Sequence, residues 1–183
     1  YPLLNFKNFN VGASEVFLTE GGVLAFPISV DPMVMYYNRS ILDANGIVYP
    51  PRYWDEFNIA SSKITKKNEA NELIKSAVAL GQYSNVTNAK DIVATLFLQT
   101  GNPIVKQIGG EFINNMTGGA ESKTLGDALS FYISFANPSL PSYTWKKTLP
   151  NSVDAFSSDL VAFYFGFASE LPTLINKNPN QNL

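Results

Sequence analysis

Acid–base chemistry in this chain would fall first to its carboxylates, because the sequence contains no histidine and no cysteine. Two pairs are close together, Asp55 with Glu56 and Glu69 with Glu72. Glycoside hydrolysis needs two carboxyl groups about 5–10 Å apart. The first pair is better explained as negative charge in the first turn of a helix, where the helix dipole favours it, and the second as part of a solvated loop. We therefore predict that the chain is not an enzyme and has no catalytic residues.

The missing residue types exclude further kinds of site. Without cysteine there are no disulfides and no thiolate chemistry, and without histidine there is no Ser–His triad and no common zinc site. We expect neither a metal nor a cofactor. A net charge of −2 gives no reason to expect nucleic acid or an anionic membrane as a partner. With 183 residues, 45% of them apolar, the chain is long enough for one domain with a sizeable core.

The spacing of apolar residues predicts strands that alternate with helices. Extended runs are predicted at Val23–Val30 and Met33–Asn38, with a break at Pro32, and buried strands at Ser76–Leu80 and Leu160–Phe165. Apolar residues three and four positions apart predict helices at 54–64, 89–97 and 125–136, and a last helix that opens at Ser169 with Leu171, Leu174 and Ile175 inward. This alternation indicates an α/β fold.

The block from Val23 to Phe57 carries the most specific pattern. It begins VLAFPISVDPMVMYYN and ends PPRYWDEF. This closely resembles the signature of family 1 extracellular solute-binding proteins, the sugar-capturing subunits of ABC importers, which include maltose-binding protein. Residues 153–166 are similar to a second element of that family. The resemblance implies a lobe of the type II periplasmic-binding-protein fold, an α/β domain with a mixed β-sheet flanked by helices.

The resemblance also predicts how the chain is divided. In the family, two α/β lobes close over a sugar. Residues 1–22 match the end of the first lobe, as an approach segment, and residues 23–183 match most of the second, C-terminal lobe. A complete family member is much longer, so we expect this chain to be part of a longer protein.

The loop after the strand at 76–80 is the first candidate for a sugar site. Such a site needs aromatic faces for the ring and planar polar groups for its hydroxyls. Ligands usually sit at loops that follow the carboxyl ends of strands in open α/β sheets, and the family has ligand contacts in this loop. Tyr83, Ser84 and Asn85 suit that role chemically. Capping of the following helix by Asn85 is the structural alternative.

Four more residues are candidates for ligand contact. Asp31 matches the acidic position of the family motif and could accept two hydroxyl groups, or it could start an Asx turn at Pro32. Gly166 and Phe167 occupy the position after a strand where many family members stack a tryptophan on the sugar. Trp145, in a proline-bounded loop, is either a binding platform or packs within a lid.

The function that the resemblance implies is binding without catalysis. We expect a monomeric, extracytoplasmic receptor, in the periplasm or on the outer face of the cytoplasmic membrane. It would contact the membrane only through a lipid anchor outside this chain. It would hand a sugar or oligosaccharide to ABC permease subunits, and the ligand would bridge two lobes and stabilise their closed state. The alternatives are a carbohydrate-active hydrolase domain and a surface carbohydrate-interaction module without transport.

Overall fold

Short strands and helices alternate along the chain in a computed structural model, which describes residues 17–19, 22–117 and 124–183. The strands are β1 (Leu18–Thr19), β2 (Gly22–Val23), β3 (Met33–Tyr37), β4 (Lys66–Lys67), β5 (Leu73–Val78), β6 (Val105–Ile108), β7 (Glu111–Asn114) and β8 (Val161–Phe167). The helices are α1 (Arg39–Ala44), α2 (Glu56–Ile64), α3 (Ala89–Leu98), α4 (Leu125–Ser134), α5 (Ser152–Ser157) and α6 (Leu171–Lys177), with a 3₁₀ turn at Ala168–Glu170. Most of the predicted segment 1–22 lies outside the described residues. Among the described helices, none has the length and apolar character needed to cross a membrane.

Strand β8 lies inside the main sheet, whose strand order in the described residues is β3-β8-β5-β4. It is antiparallel to β3 and parallel to β5. Parallel neighbours need a long crossover connection, which here contains α3, the β6–β7 hairpin, α4 and α5. The prediction of a mixed sheet flanked by helices is confirmed. The predicted strand bounds were less accurate, because β5 starts at Leu73 and β8 continues to Phe167.

Alternate side chains of β8 enter different layers of the core. Phe163 and Phe165 face α2, where their ring centroids lie 5.3 and 5.7 Å from that of Phe57. Tyr164 lies between them in sequence and stacks on Phe156 of α5 at 5.6 Å. Successive side chains of a strand point to opposite faces, so β8 needs apolar cover on both faces. The helices on the two faces of the sheet provide it.

The extended run predicted at Val23–Val30 is wrong as a strand. Only Gly22–Val23 pairs, in a two-stranded hairpin with Leu18–Thr19. Four apolar residues of the run are at least half exposed: Leu24, Phe26, Ile28 and Val30. Pro27 cannot donate to a ladder, and the described strands include none that pairs with residues 24–30. High β-propensity was not sufficient without a partner strand.

Two helices bury fewer residues than their apolar spacing predicts. In α6 only Leu174 is fully buried, whereas Leu171 and Ile175 are 40% and 46% exposed. In α4, Leu129 and Ile133 are 41% and 54% exposed, because their side of the helix borders an open groove. An apolar helix face becomes core only where another element packs on it.

Substitution of Gly81 is expected to cost more stability than substitution of Gly101. Both glycines have left-handed backbone, with φ of +90° and +85°. A Cβ on Gly81 would lie 2.7 Å from the Cβ of Ala136, whereas a Cβ on Gly101 would meet no atom within 4 Å. Both alanine variants carry backbone strain of about 1–2 kcal/mol, and Gly81→Ala adds about 1–3 kcal/mol of overpacking. Urea unfolding of both variants measures the difference, and equal midpoints would contradict this account.

Candidate functional site

Three loops meet at one edge of the main sheet. Because β5 and β8 are parallel, their carboxyl ends lie on the same side, and the antiparallel β3 begins there. We call residues 31–32, 81–88 and 166–170, which lie at these strand ends, the loop edge. All but one of the candidate ligand residues are in these three segments. The exception is Trp145.

Asp31 connects the first and third segments of the loop edge. Its two carboxylate oxygen atoms accept hydrogen bonds from the backbone N–H and the hydroxyl of Ser169, at 2.9 and 2.6 Å. The Ala168 N–H also donates to the Pro32 carbonyl at 3.0 Å. The register of β3 against β8, which pairs Met33 with Phe167, brings these groups together. Asp31 is exposed, so its carboxylate also faces solvent at this edge.

Gly166 is buried and leaves room for a neighbouring carboxylate. A Cβ at this position would lie 2.5 Å from a ring carbon of Tyr164 and 3.0 Å from both carboxylate oxygen atoms of Glu170. Glu170 in turn accepts a hydrogen bond from the Phe167 N–H at 2.8 Å. The absence of a side chain at Gly166 therefore allows Glu170 to pack close to the strand. Phe167 beside it is half-buried and is the aromatic residue of this segment.

Two tyrosine hydroxyls support the same segment. Tyr36 on β3 donates to the Phe167 carbonyl at 2.9 Å, and Tyr164 on β8 donates to Glu170. Burial raises the pKa of both hydroxyls, and the nearby charge of Glu170 raises both further. Both groups therefore stay protonated through the neutral range, as their role as donors requires.

Tyr83 projects from the second segment, the loop 81–88. Its side chain is 82% exposed, and Ser84 beside it is also exposed. The loop is held from below, where the Tyr132 hydroxyl donates to the Gln82 carbonyl at 2.7 Å, and burial raises the pKa of that hydroxyl. Tyr83 also borders an apolar groove of about 680 Å³ between α3 and α4. An aromatic ring on a fixed backbone is the kind of group that stacks on a sugar.

Asn85 and Trp145 are placed differently from the other candidates. Trp145 is only 1% exposed, and its indole N–H donates to the Asn85 side-chain oxygen at 3.1 Å. The amide nitrogen of Asn85 donates to the carbonyls of Lys146 and Leu149, both at 3.0 Å. The predicted capping of the next helix by Asn85 is wrong, because α3 has Asn88 at its N-cap. In this structure Trp145 packs in the core, and Asn85 fastens the loop to the segment 145–149.

All the residues of this candidate site lie within a segment that matches a single protein-family model. The family model described as "Bacterial extracellular solute-binding protein" matches residues 5–183. The chain belongs to this family. The resemblance found in the sequence is thereby confirmed.

Solved structures similar to this solute-binding protein share its fold. CpMnBP1 with mannotriose bound has a TM-score of 0.66 and 15% identity, and the match covers 100% of this chain and 47% of that one. An ABC transporter solute-binding protein from Thermotoga lettingae, bound with α-D-tagatose, has a TM-score of 0.60 and 19% identity, over 98% and 46% of the two chains. The substrate-binding protein Lmo0181 from Listeria monocytogenes, in complex with cycloalternan, gives 0.62 and 16%, over 92% and 40%. This chain spans less than half the length of each. The predicted periplasmic-binding-protein-like fold is confirmed.

One member of each carboxylate pair makes local structural contacts in the solute-binding protein. Glu56 accepts from the backbone N–H groups of Arg52 and Tyr53, at 2.6 and 3.2 Å, at the start of α2. Glu72 accepts from the Asn68 side chain at 3.2 Å in the turn between β4 and β5. Among the described residues, no group of three or more acidic side chains could hold a metal ion.

Sequence reasoning missed four polar residues whose side chains support the loop edge: Tyr36 and Tyr164 on the adjoining strands, and Asn88 and Glu170 within it. The tyrosines were assigned only to strands, and Glu170 only to the start of the last helix. The one signal available was Gly166, since a glycine inside a buried strand marks a close approach by another group. That signal does not say which group approaches.

Asn85→Ala is expected to lower the free energy of unfolding by about 1–3 kcal/mol or more, because it leaves the buried indole N–H of Trp145 without its acceptor. Ser84→Ala is the matched control, since Ser84 is the exposed neighbour and its change should alter stability by less than about 0.5 kcal/mol. Chemical unfolding followed by tryptophan fluorescence measures both. Equal stability of the two variants would show that the Asn85–Trp145 contact is not structural.

Proposed function

We propose that this chain is the ligand-facing part of one lobe of an extracytoplasmic receptor that captures a sugar or oligosaccharide for an ABC importer. The observation that carries the proposal is the loop edge. It gathers the exposed Tyr83 and Ser84, the half-buried Phe167 and the exposed carboxylate of Asp31 at the carboxyl ends of two parallel strands. Aromatic faces beside hydroxyl and carboxylate groups match the alternating apolar and polar surface of a sugar ring.

Membership of the family supports two parts of this proposal, namely that the protein acts outside the cytoplasm and that it binds its ligand without catalysing a reaction. Its members are extracellular solute-binding proteins, which suits an extracytoplasmic site of action. The three solved structures named above are bound with mannotriose, tagatose and cycloalternan. We infer that the ligand of this chain belongs to the same chemical class, and that it is released unchanged to permease subunits.

We further propose that residues 23–183 are most of the second lobe and that residues 1–22 end the first. The exposed run at 24–30 supports this division. Ile28 is fully exposed and Leu24 is 74% exposed, which leaves a row of apolar side chains on the second lobe for the first lobe to cover. Ligand held between two lobes would stabilise their closed arrangement by its higher affinity for that state.

The full-length protein is expected to bind sugar much more tightly than this chain alone, because each lobe supplies only part of the contacts. The loss of two or three buried hydrogen bonds lowers affinity by roughly a hundredfold or more. Calorimetry with mannotriose and tagatose on both proteins measures the difference, with circular dichroism to check that the shorter chain is folded.

Two outcomes would contradict this account. Equal, tight binding by both proteins would place a complete site within this chain and remove the two-lobe argument. Shortened oligosaccharides in the mass spectrum after incubation would favour a hydrolase.

Tyr83→Ala is expected to weaken sugar binding by the full-length protein by about 1–3 kcal/mol and to leave its stability nearly unchanged. The substitution removes an exposed stacking face from the loop edge. Tyr49→Ala is the matched control, because Tyr49 is 75% exposed but lies outside the loop edge, and its change should alter neither property. Dissociation constants and thermal midpoints are measured for both.

A buried aromatic residue provides the opposite comparison. Phe97 is fully buried, so Phe97→Ala should cost roughly 3–5 kcal/mol of stability through the cavity that it leaves. If Tyr83→Ala unfolds the protein, and the fraction that remains folded binds sugar normally, then the loop is structural and the site lies elsewhere.

A further inference from the structure

Glu170 holds together groups that belong to different parts of the loop edge. One of its carboxylate oxygen atoms accepts from the Phe167 N–H at 2.8 Å and from the Asn88 side-chain amide at 3.0 Å. The other accepts from the Tyr164 hydroxyl. A carboxylate accepts hydrogen bonds and donates none, so it is well matched to a set of donors.

The contact with Asn88 spans 82 positions in the sequence. Asn88 ends the loop 81–88 and is the N-cap residue of α3, and it is 9% exposed. The same amide nitrogen also lies 3.2 Å from the Tyr164 hydroxyl and from the Phe165 carbonyl, so its two hydrogens are shared among three acceptors. The start of α3 is therefore tied to the end of β8 by side chains that lie mostly below the surface.

The two segments joined in this way carry the two aromatic residues of the proposed site. Tyr83 lies five positions before Asn88. Phe167 lies three positions before Glu170 and gives its backbone N–H to that residue. The bonds that Glu170 accepts therefore join the backbone segments from which the two rings project. Groups held in place before binding lose less conformational entropy when a ligand arrives.

We propose that Glu170 is a positioning residue, which fixes the Tyr83 and Phe167 loops relative to each other and so sets ligand affinity without touching the ligand. This rests on the proposed function for the identity of the ligand, but the coupling of the two loops does not. Burial and the Glu170 charge raise the pKa of the Tyr164 hydroxyl, which agrees with its role as a permanent donor in this set.

The coupling is tested without any ligand, by amide hydrogen exchange of the full-length protein. Glu170→Ala is expected to increase exchange in residues 82–88 as well as in 166–170, because the loops lose their shared acceptor. Glu170→Gln keeps a carbonyl oxygen for Phe167 and Asn88, the two donors that link the loops, and loses only the acceptor of the Tyr164 hydroxyl. It should therefore restore most of the protection. Glu72→Ala is the matched control, since it removes another carboxylate that accepts from an asparagine side chain. It should leave both loops unchanged.

Binding is then measured by calorimetry with the mannotriose and tagatose probes. Glu170→Ala should weaken binding about tenfold, from the cost of ordering the loops on binding, and Glu170→Gln should stay within a few-fold of the wild type. Asn88→Ala should weaken binding similarly. The double variant Asn88→Ala/Glu170→Ala should lose little more than either single variant, because both break the same link.

The outcomes separate this inference from the proposed function. If the wild type binds neither probe while Glu170→Ala loosens both loops, the coupling stands and sugar binding is the part that fails. If Glu170→Ala binds as tightly as the wild type and exchange at 82–88 is unchanged, Glu170 does not position the site. Should Glu170→Ala fail to fold, Asn88→Ala decides the question by the same two measurements, because it leaves the Glu170 bonds to Tyr164 and Phe167 in place.

Discussion

The burial of strand β8 between two aromatic layers determines where the helices and loops of this domain lie. Phe163 and Phe165 need cover from the α2 side, and Tyr164 needs cover from α5 on the opposite face. A strand that is apolar on both faces is stable only inside a sheet with helices on both sides. With β5 parallel to it and β3 antiparallel, the loops that follow β5 and β8 and the start of β3 must meet at one edge. The candidate site is a consequence of that packing.

Close approaches at this edge depend on two glycines. Gly81 lets its loop pass against Ala136, just beyond the end of α4, in a backbone conformation that other residues adopt only with strain. Gly166 has no need of such a conformation, but a side chain there would displace Tyr164 and Glu170. Both glycines serve the site by allowing neighbouring groups to come near. Neither requires contact with a ligand.

Asn85 and Trp145 show that the residue types suited to a ligand site can equally be part of a core. An amide beside an indole is suited to sugar recognition, and the same pair satisfies its own hydrogen bonds when both are buried. Here the Trp145 N–H donates to the Asn85 side-chain oxygen, and the Asn85 amide nitrogen donates to two backbone carbonyls. Buried polar groups must find partners, and these find them within the chain. Tyr83 also offers an aromatic face and a polar group, but it stays exposed. The Tyr132 hydroxyl holds the loop at Gln82, and the Tyr83 side chain itself is left facing solvent.

The sequence by itself determined the family, the α/β class and the positions of the strongest elements. Short segments of the sequence are enough to predict these features. They are the block ending at Phe57, the buried runs around β5 and β8, and the apolar spacing of α3. The sequence also predicted that Tyr83, Ser84, Asp31 and Phe167 lie at strand ends or in loops, and the structure brings these segments to one edge.

The tertiary structure alone decided which polar residues face solvent and which are used inside. The link from Glu170 to Asn88 joins residues 82 positions apart, and the bond from Ser169 to Asp31 joins residues 138 positions apart. Hydrogen bonds of this kind depend on strand register and on which element packs against which. Those properties come from the packing of the whole chain, and no short window of sequence contains them.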